Sequence, residues 1–290
     1  MRLVFVTCTD YPDLTEDDRY VQRFLQSKNI QVDAGIWTDE EIDWSDYDVV
    51  ILRSTWDYFY NPIEFSRWLD RLEKACIQVL NPVPVIRWNL DKKYLFEIES
   101  KGIRIPPSVL VRQNESLDLY AFLLRNSWDK AVVKPVVSAG AYRTFTIDRA
   151  DAIEKQSLFD RYISEQDFII QRFSNEIIQS GELSLIYFNK KYSHSVLKKP
   201  KANEFRVQFQ YGGKHIDFTP NEDLLKQIDH TLSFLPNGLL FTRVDGYLDA
   251  DGFFCHMEIE LTEPMLFFDK NDDRCNAFYF ALQDWMRLSN

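Results

Sequence analysis

Short apolar runs alternate with amphipathic helical stretches over the first ninety residues, and this alternation limits the fold more than any other feature of the chain. LVFVTC (3–8), IQVDAGIW (30–37) and DYDVVILRST (46–55) read as strands. Between them DDRYVQRFLQSKNI (17–30) has helical spacing. NPIEFSRWLDRLEKAC (61–76) has it too, with Phe65, Trp68, Leu69 and Leu72 on one face. Strands that alternate with helices imply a parallel sheet covered by helices. This unit is expected to end near NPVPVIRW (81–88), where Pro82 and Pro84 punctuate.

The pattern then changes. LDKKYLFEIESKG (90–102) reads as a helix with Asp91 near its start and Gly102 past its end. AVVKPVVSAGAYRTFTI (131–147) reads as a hairpin around a small-residue loop, and DFIIQRFS (167–174) as a strand entering a turn. GELSLIYFNKKYSHSVLKKP (181–200) gives another hairpin, EFRVQFQYGGK (204–214) a strand, and NEDLLKQIDHTLSFLP (221–236) a helix. GLLFTRVDGYLDADGFFCHMEIEL (238–261) closes with a hairpin and a last helix follows. The fold class is therefore α/β followed by α+β. The expected division is an N-terminal α/β unit at 1–90, a central unit at 91–170 and a C-terminal unit at 171–290.

The net charge of −11 disfavours a broad nucleic-acid or anionic-membrane footprint, though a local basic pocket for a small anion remains open. The cysteines, Cys8, Cys76, Cys255 and Cys275, form neither a C-x-x-C pair nor a disulfide framework, which suits reduced thiols. No run approaches a membrane span, and the N-terminus lacks a signal-peptide pattern. The expected location is the cytoplasm.

The closing hairpin carries the strongest chemical signal. If Asp251-Gly252 forms a two-residue turn, Asp245 falls opposite Glu258 and Arg243 opposite Glu260. Period-two alternation then puts Arg243, Asp245, Tyr247, His256, Glu258 and Glu260 on one face, and Val244, Leu248, Cys255, Met257, Ile259 and Leu261 on the other. Directly opposed carboxylates destabilise a sheet unless something neutralises them. Arg243 or a divalent cation would do so, and Mg²⁺ favours a few carboxylates together with phosphate oxygens. A solvated polar face fits the hairpin alone equally well. Lys134 ends an apolar strand just before Ser138-Ala139-Gly140-Ala141, where small residues let backbone N–H groups approach a phosphate. The segment matches neither a P-loop nor a dinucleotide fingerprint. Lys92 lies at a helix start and Arg206 within an apolar strand, where a paired or ligand-binding guanidinium is expected.

Taken in order, LDKKYLFEIESKGIRIPPS, VVKPVVSAGA, FIIQRFSNEIIQSGELSL, EFRVQFQYGG and RVDGYLDADGFFCHMEIELTEP resemble the ATP-grasp superfamily. Within it the chain resembles the glutathione synthetase-like ligases and the cyclo-ligases that close O-ureido-serine to cycloserine; RSTWDY, KPVVSAGA, SHSVLKKP and EIELTEPMLFF look especially like the second group. The resemblance implies a nucleotide held between two α+β units, with ATP and Mg²⁺ (or Mn²⁺) as cofactors. It implies that Lys92 and Lys134 contact ATP phosphates beneath a flexible loop, Ser138, Ala139, Gly140 and Ala141. Gln171, Arg172 and Phe173 would form the adenine hinge, Glu182 would reach the nucleotide near its ribose, and Arg206 would stabilise the transferred phosphate. Asp245, Glu258 and Glu260 would hold the metal. Relatives in this superfamily often carry Asn where this chain has Glu260, and the loop has a single glycine, Gly140.

LRSTWDYFYNP (52–62) lies where the third strand ends, and ligands of open parallel sheets gather outside the carboxyl ends of strands. Arg53 is expected to grip a substrate carboxylate and Asp57 an amine, with Ser54 and Thr55 beside them; an Arg53–Asp57 ion pair is the competing arrangement. The function implied by the resemblance is an ATP- and Mg²⁺-dependent carboxylate–amine ligase working through an acyl-phosphate on a small amino-acid-like molecule, including intramolecular closure. The alternatives are a ligase that tailors a peptide or protein chain, and a nucleotide-binding regulatory protein without ligase activity. Expected partners are a small-molecule substrate and a homo-oligomer, with no nucleic acid and no membrane.

Overall fold

The computed structural model describes residues 1–201, 206 and 211–289. Strands β1 (Arg2–Thr7), β2 (Gln31–Ile36), β3 (Val49–Ser54) and β4 (Val79–Leu80) form a wholly parallel sheet in the order β2-β1-β3-β4. All positions of β3 are buried, as expected of a strand covered on both faces. Helix α1 (Glu16–Ser27) starts at Thr15, whose hydroxyl accepts the Asp18 amide at 3.1 Å. Helix α2 (Pro62–Lys74) buries Phe65, Trp68, Leu69 and Leu72. Pro82 and Pro84 do not end the unit in a loop. They open a further helix, α3 (Val83–Leu90), because the first helical turn has amide groups without partners in any case. Helix α4 (Tyr94–Ser100) follows.

The second sheet, in the order β5-β8-β6-β7, is antiparallel throughout: β5 (Ser108–Val111), β6 (Lys130–Pro135), β7 (Phe145–Asp148) and β8 (Phe168–Arg172). Helices α5 (Leu119–Arg125) and α6 (Ala152–Ile163) cover one face around Phe122, Phe159 and Phe168. After α7 (Asn175–Ser180) comes a third sheet, also antiparallel, in the order β11-β10-β9-β12-β13. Its strands are β9 (Glu182–Phe188), β10 (Lys191–Lys199), β11 (Lys214–Asp217), β12 (Phe241–Leu248) and β13 (Phe254–Glu260), with α8 (Glu222–Ser233) between β11 and β12. Most of the strand expected at EFRVQFQ lies outside the described residues. The last helix, α9 (Asp272–Ser289), turns back onto the first sheet. Its Phe278 meets Phe5 of β1 edge-on at 6.4 Å and Phe188 of β9 at 5.4 Å, so the two ends of the chain share one apolar core. No described helix is long and apolar enough to cross a membrane.

Candidate active site

The closing hairpin pairs Asp245 with Glu258 and Arg243 with Glu260, as the sequence suggests, but by another route. The chain does not turn at Asp251-Gly252 alone. It turns through residues 249–253, where the Asp249 carboxylate accepts the amides of Asp251 and Phe253 at 3.0 and 2.9 Å. Met257 is then an extra residue in β13, and this bulge restores the register of the carboxylates. Nearer the turn the faces are exchanged relative to expectation. His256 points to the apolar side, where Nε2 meets the Thr231 hydroxyl at 2.8 Å, whereas Cys255 packs with Tyr247 and Met257.

The free edge of β13 is covered by side chains acting as a strand would. Asn89 donates to Ile259 O at 2.6 Å and accepts from Leu261 N at 2.7 Å, and the Tyr94 hydroxyl donates to Ile259 O and accepts from Ile259 N. Buried Asn81 ties the ends of both hairpin strands through Phe241 O and Leu261 O. Lys92 lies between Asn89 and Tyr94 in sequence, so this clamp delivers it to the acidic face. Its ammonium contacts Glu258 at 2.8 Å and Ser138 O at 2.6 Å. Burial opposes the Lys92 charge, but Glu258, Glu260 and Glu263 outweigh it and raise the pKa.

Carboxylate oxygens of Asp245, Glu258 and Glu260 lie within 4.8 Å of one another. Such a set of hard oxygen donors suits Mg²⁺ or Mn²⁺, and the residues present fit that ion. Arg243 holds the cluster together, bonding Asp245 through Nε and Nη2 and Glu260 through Nη2. Asp245 also accepts from Ser184 at 2.5 Å and faces Lys198 at 3.4 Å. Although burial disfavours its charge, Arg243 and Lys198 bring its pKa down to about 2. Glu260 is different. Burial, then the like charges of Glu258 and Asp245, push it up to about 8 despite Arg243. A cation would relieve that repulsion.

Lys134, at the end of β6, reaches the Gln171 side-chain oxygen at 3.3 Å. Burial lowers its pKa to about 8, with Glu258 opposing. The loop after β6 has left-handed backbone at Gly140 (φ 57°) and Ala141 (φ 60°). Tyr142 stacks obliquely on Phe59 at 4.8 Å, and the Tyr211 hydroxyl donates to Gly140 O at 3.3 Å, so the loop is bridged from both sides. At the expected hinge, Gln171 donates to the Ser108 hydroxyl, while the Arg172 and Phe173 amides donate to Pro107 O and Lys130 O. Glu182 is buried and accepts from Lys198 at 2.5 Å; burial raises its pKa in spite of that cation. Arg206 lies over the Tyr211 ring at 3.6 Å.

At the end of β3 the outcome is different. Arg53 is 1 % exposed and binds Asp18 on α1, at 2.8 Å through both Nε and Nη2. Neither the open guanidinium nor the Arg53–Asp57 pair is formed. Asp57 instead accepts from the Trp37 indole at 2.6 Å. Ser54 is buried against Thr7 at 2.8 Å, and Thr55 Oγ1 is buried with no hydrogen-bond partner among the described residues. The register of β1 against β3 slips here, leaving Arg53 as an extra residue between Leu52 and Ser54, and Arg53 and Ser54 bury against Asp18 and Thr7. Lys198 and Glu263 are site residues that the sequence reading did not single out for these roles. Lys198 could have been found only by knowing the register of β9 against β10, and Glu263 by noting a third glutamate so close behind Glu260.

A family profile described as the N-terminal domain of D-cycloserine synthetase DcsG matches residues 3–81. The chain is 26 % identical over 297 aligned residues to the cycloserine biosynthesis protein DcsG of Streptomyces lavendulae, covering 96 % of this chain and 94 % of that protein. It is 27 % identical over 229 residues to glutathione synthetase of Rhodopseudomonas palustris, covering 77 % and 67 %. The crystal structure of D-cycloserine synthetase DcsG superposes with a TM-score of 0.87 at 24 % identity, over 98 % of this chain and 99 % of that one. The ATP-grasp ligase PsnB, complexed with a phosphomimetic variant of a minimal precursor, Mg and ADP, superposes with a TM-score of 0.64 at 15 % identity, over 96 % and 98 %.

Proposed function

We propose that this ATP-grasp carbon–nitrogen ligase, whose products include ADP and phosphate, activates the carboxylate of a small amino-acid-like substrate as an acyl-phosphate and joins it to a nitrogen, in the manner of a cyclo-ligase. The observation that carries the proposal is the meeting of Asp245, Glu258 and Glu260, one buried and two partly buried, beside Lys92 and Lys134. Mg²⁺ bound there would offset phosphate charge and align the transferred group. Lys92 would stand at the same phosphates, preset by Glu258. Lys134, with its pKa near 8, is mostly protonated at neutral pH and adds a second positive charge. Ser138 to Ala141 would cover the phosphates, Gln171 to Phe173 would border the base, and Glu182 would lie toward the ribose. Arg206 would face the oxygens that gain charge. No side-chain nucleophile is required, because positioning and electrostatics carry the rate.

The substrate end would lie between the β3 terminus and the metal carboxylates. With Arg53 committed to Asp18, Asp57 is the most open of the residues assigned there. The test is ADP release from ATP and Mg²⁺ with O-ureido-D-serine, D-serine, D-alanine and pooled amino acids. Turnover with one of these supports the reading; nucleotide binding without ADP formation on any of them counts against it. A peptide-tailoring ligase is the second reading. It is favoured by a cavity of about 370 Å³ lined by Leu197, Pro200 and Ile216 and rimmed by Lys199, Lys201 and Lys214, which would take an apolar side chain of a peptide that also carries acidic residues. Turnover with acidic peptides and none with amino acids would select it.

A further inference from the structure

Glu263 is a buried carboxylate without a cation of its own. The side chain belongs to a residue 8 % exposed, and among the described residues no lysine, arginine or histidine forms an ion pair with it. Its neighbours explain why. Lys92 is spent on Glu258 and Ser138 O, and Arg243 is divided among Asp245, Glu260 and Met265 O. The Tyr58 phenol, itself buried, hydrogen-bonds Glu263 and eases its charge, but it is neutral and supplies no cation. A carboxylate in such surroundings is costly unless a positive group joins it. The costs are visible in its pKa, raised by burial to about 7 although Lys92 pulls the other way.

Its position says which positive group would serve. Glu263 is not one of the carboxylates whose oxygens gather within 4.8 Å, so it lies outside the metal cluster. Its backbone is fixed to the segment that follows β3, where the Trp56 indole donates to Glu263 O at 2.9 Å. Trp56 follows the carboxyl end of β3, the part of an open parallel sheet where ligands gather. Asn89 holds the preceding residues through Leu261 N and the Thr262 hydroxyl, so the carboxylate is presented from a rigid segment.

We propose that Glu263 receives the ammonium group of the amino-acid substrate, orienting the substrate so that its carboxylate points toward the phosphates at Glu258 and Glu260. This rests on the ligase reading above and deepens it, because it makes a free primary ammonium the feature by which substrates are selected. An internal peptide segment, whose backbone nitrogens are acylated, would not satisfy Glu263.

The experiment is calorimetric binding of O-ureido-D-serine, D-serine and D-alanine, and of their N-acetyl forms, to the intact protein holding a non-hydrolysable ATP analogue and Mg²⁺. Nucleotide affinity is measured first for wild type, Glu263→Gln and Glu263→Asp, which also reports whether each variant folds. The expected result is that wild type binds at least one free amino acid and rejects its N-acetyl form. Glu263→Gln should weaken that binding about 10- to 100-fold, the loss of one charge-assisted hydrogen bond, a loss several times larger than any change in nucleotide affinity. Glu263→Asp should recover part of the loss. Equal binding by wild type and Glu263→Gln, or equal binding of acetylated and free amines, would each overturn the proposal and leave the ligase reading standing. A nucleotide-loaded wild type that takes none of the amino acids would overturn the proposal and count against the amino-acid ligase reading as well. Failure of wild type to bind nucleotide would overturn both.

Discussion

The hairpins β9–β10 and β12–β13 border the same site and each carries one bulge, yet they reach their registers in opposite ways. In β9–β10 the turn is the tight one at Asn189 and Lys190, both with positive φ, as a two-residue hairpin turn requires. Ser193 is then an extra residue, and the register beyond it slips by one. Without that slip Glu182 would face Leu197; with it, Glu182 faces Lys198. In β12–β13 the turn is longer and the bulge at Met257 cancels the difference, so Asp245 still faces Glu258. One bulge therefore creates a charge pairing that simple counting misses, and the other preserves one that counting finds. The bulged strand of each of these two hairpins also carries a buried histidine: His194 on β10, bonded to Leu266 O at 2.8 Å, and His256 on β13.

The sharpest way to break the comparison is Glu258→Gln. Turnover should fall about a thousandfold, equivalent to about 4 kcal/mol at the barrier, with a higher Mg²⁺ requirement. Near-wild-type rates across a Mg²⁺ titration would remove Glu258 from the metal site. Next in size is acid sensitivity. Burial lowers the pKa of both His194 and His256 from 6.5 to about 4. The unfolded chain therefore binds more protons between those values, and stability is lost as pH falls from 6.5 to 4. Each histidine contributes on the order of 3 kcal/mol to that loss. At pH 7 His256→Asn should be less stable than wild type, and the gap should shrink by about that amount by pH 4 in urea melts. A constant gap would mean that His256 is not held neutral.

The smallest effects separate the two ends of the closing hairpin. A Cβ at Gly246, beside the bulge, would lie 2.2 Å from Cys255 O and 2.6 Å from the Phe254 ring. Gly246→Ala should cost about 2 kcal/mol or more in denaturant unfolding, because the backbone cannot yield. At Gly252 nothing lies within 4 Å, and the strain is the positive φ of 81° alone, so Gly252→Ala should cost about 1 kcal/mol. Equal costs would show that the bulge adds no constraint of its own.

Local patterning determined a good deal. Buried runs and helical faces announced the parallel first sheet, because a strand covered on both sides is mostly apolar along its length, as Val49–Leu52 of the wholly buried β3 is. Alternation placed Asp245, Glu258 and Glu260 on one face, since period two is a property of any strand. The ordered motifs then carried the resemblance to the ATP-grasp superfamily, and the fold is shared with solved ligases. Other features depended on long-range packing. The helix at Val83–Leu90 was not expected from its prolines, yet through Asn89 it covers the edge of β13 and helps bring Lys92 to Glu258. Arg53 looked like a substrate ligand because nothing nearby in sequence reveals that Asp18 waits on α1. Glu182 and Lys198 meet through a bulge, and Glu263 is left without a cation because Lys92 and Arg243 are engaged elsewhere. The sequence by itself determined which side chains could share a face, because backbone geometry repeats every two or 3.6 residues. Only the tertiary structure decided which charges are paired and which are left waiting, because that depends on registers and contacts between segments far apart in the chain.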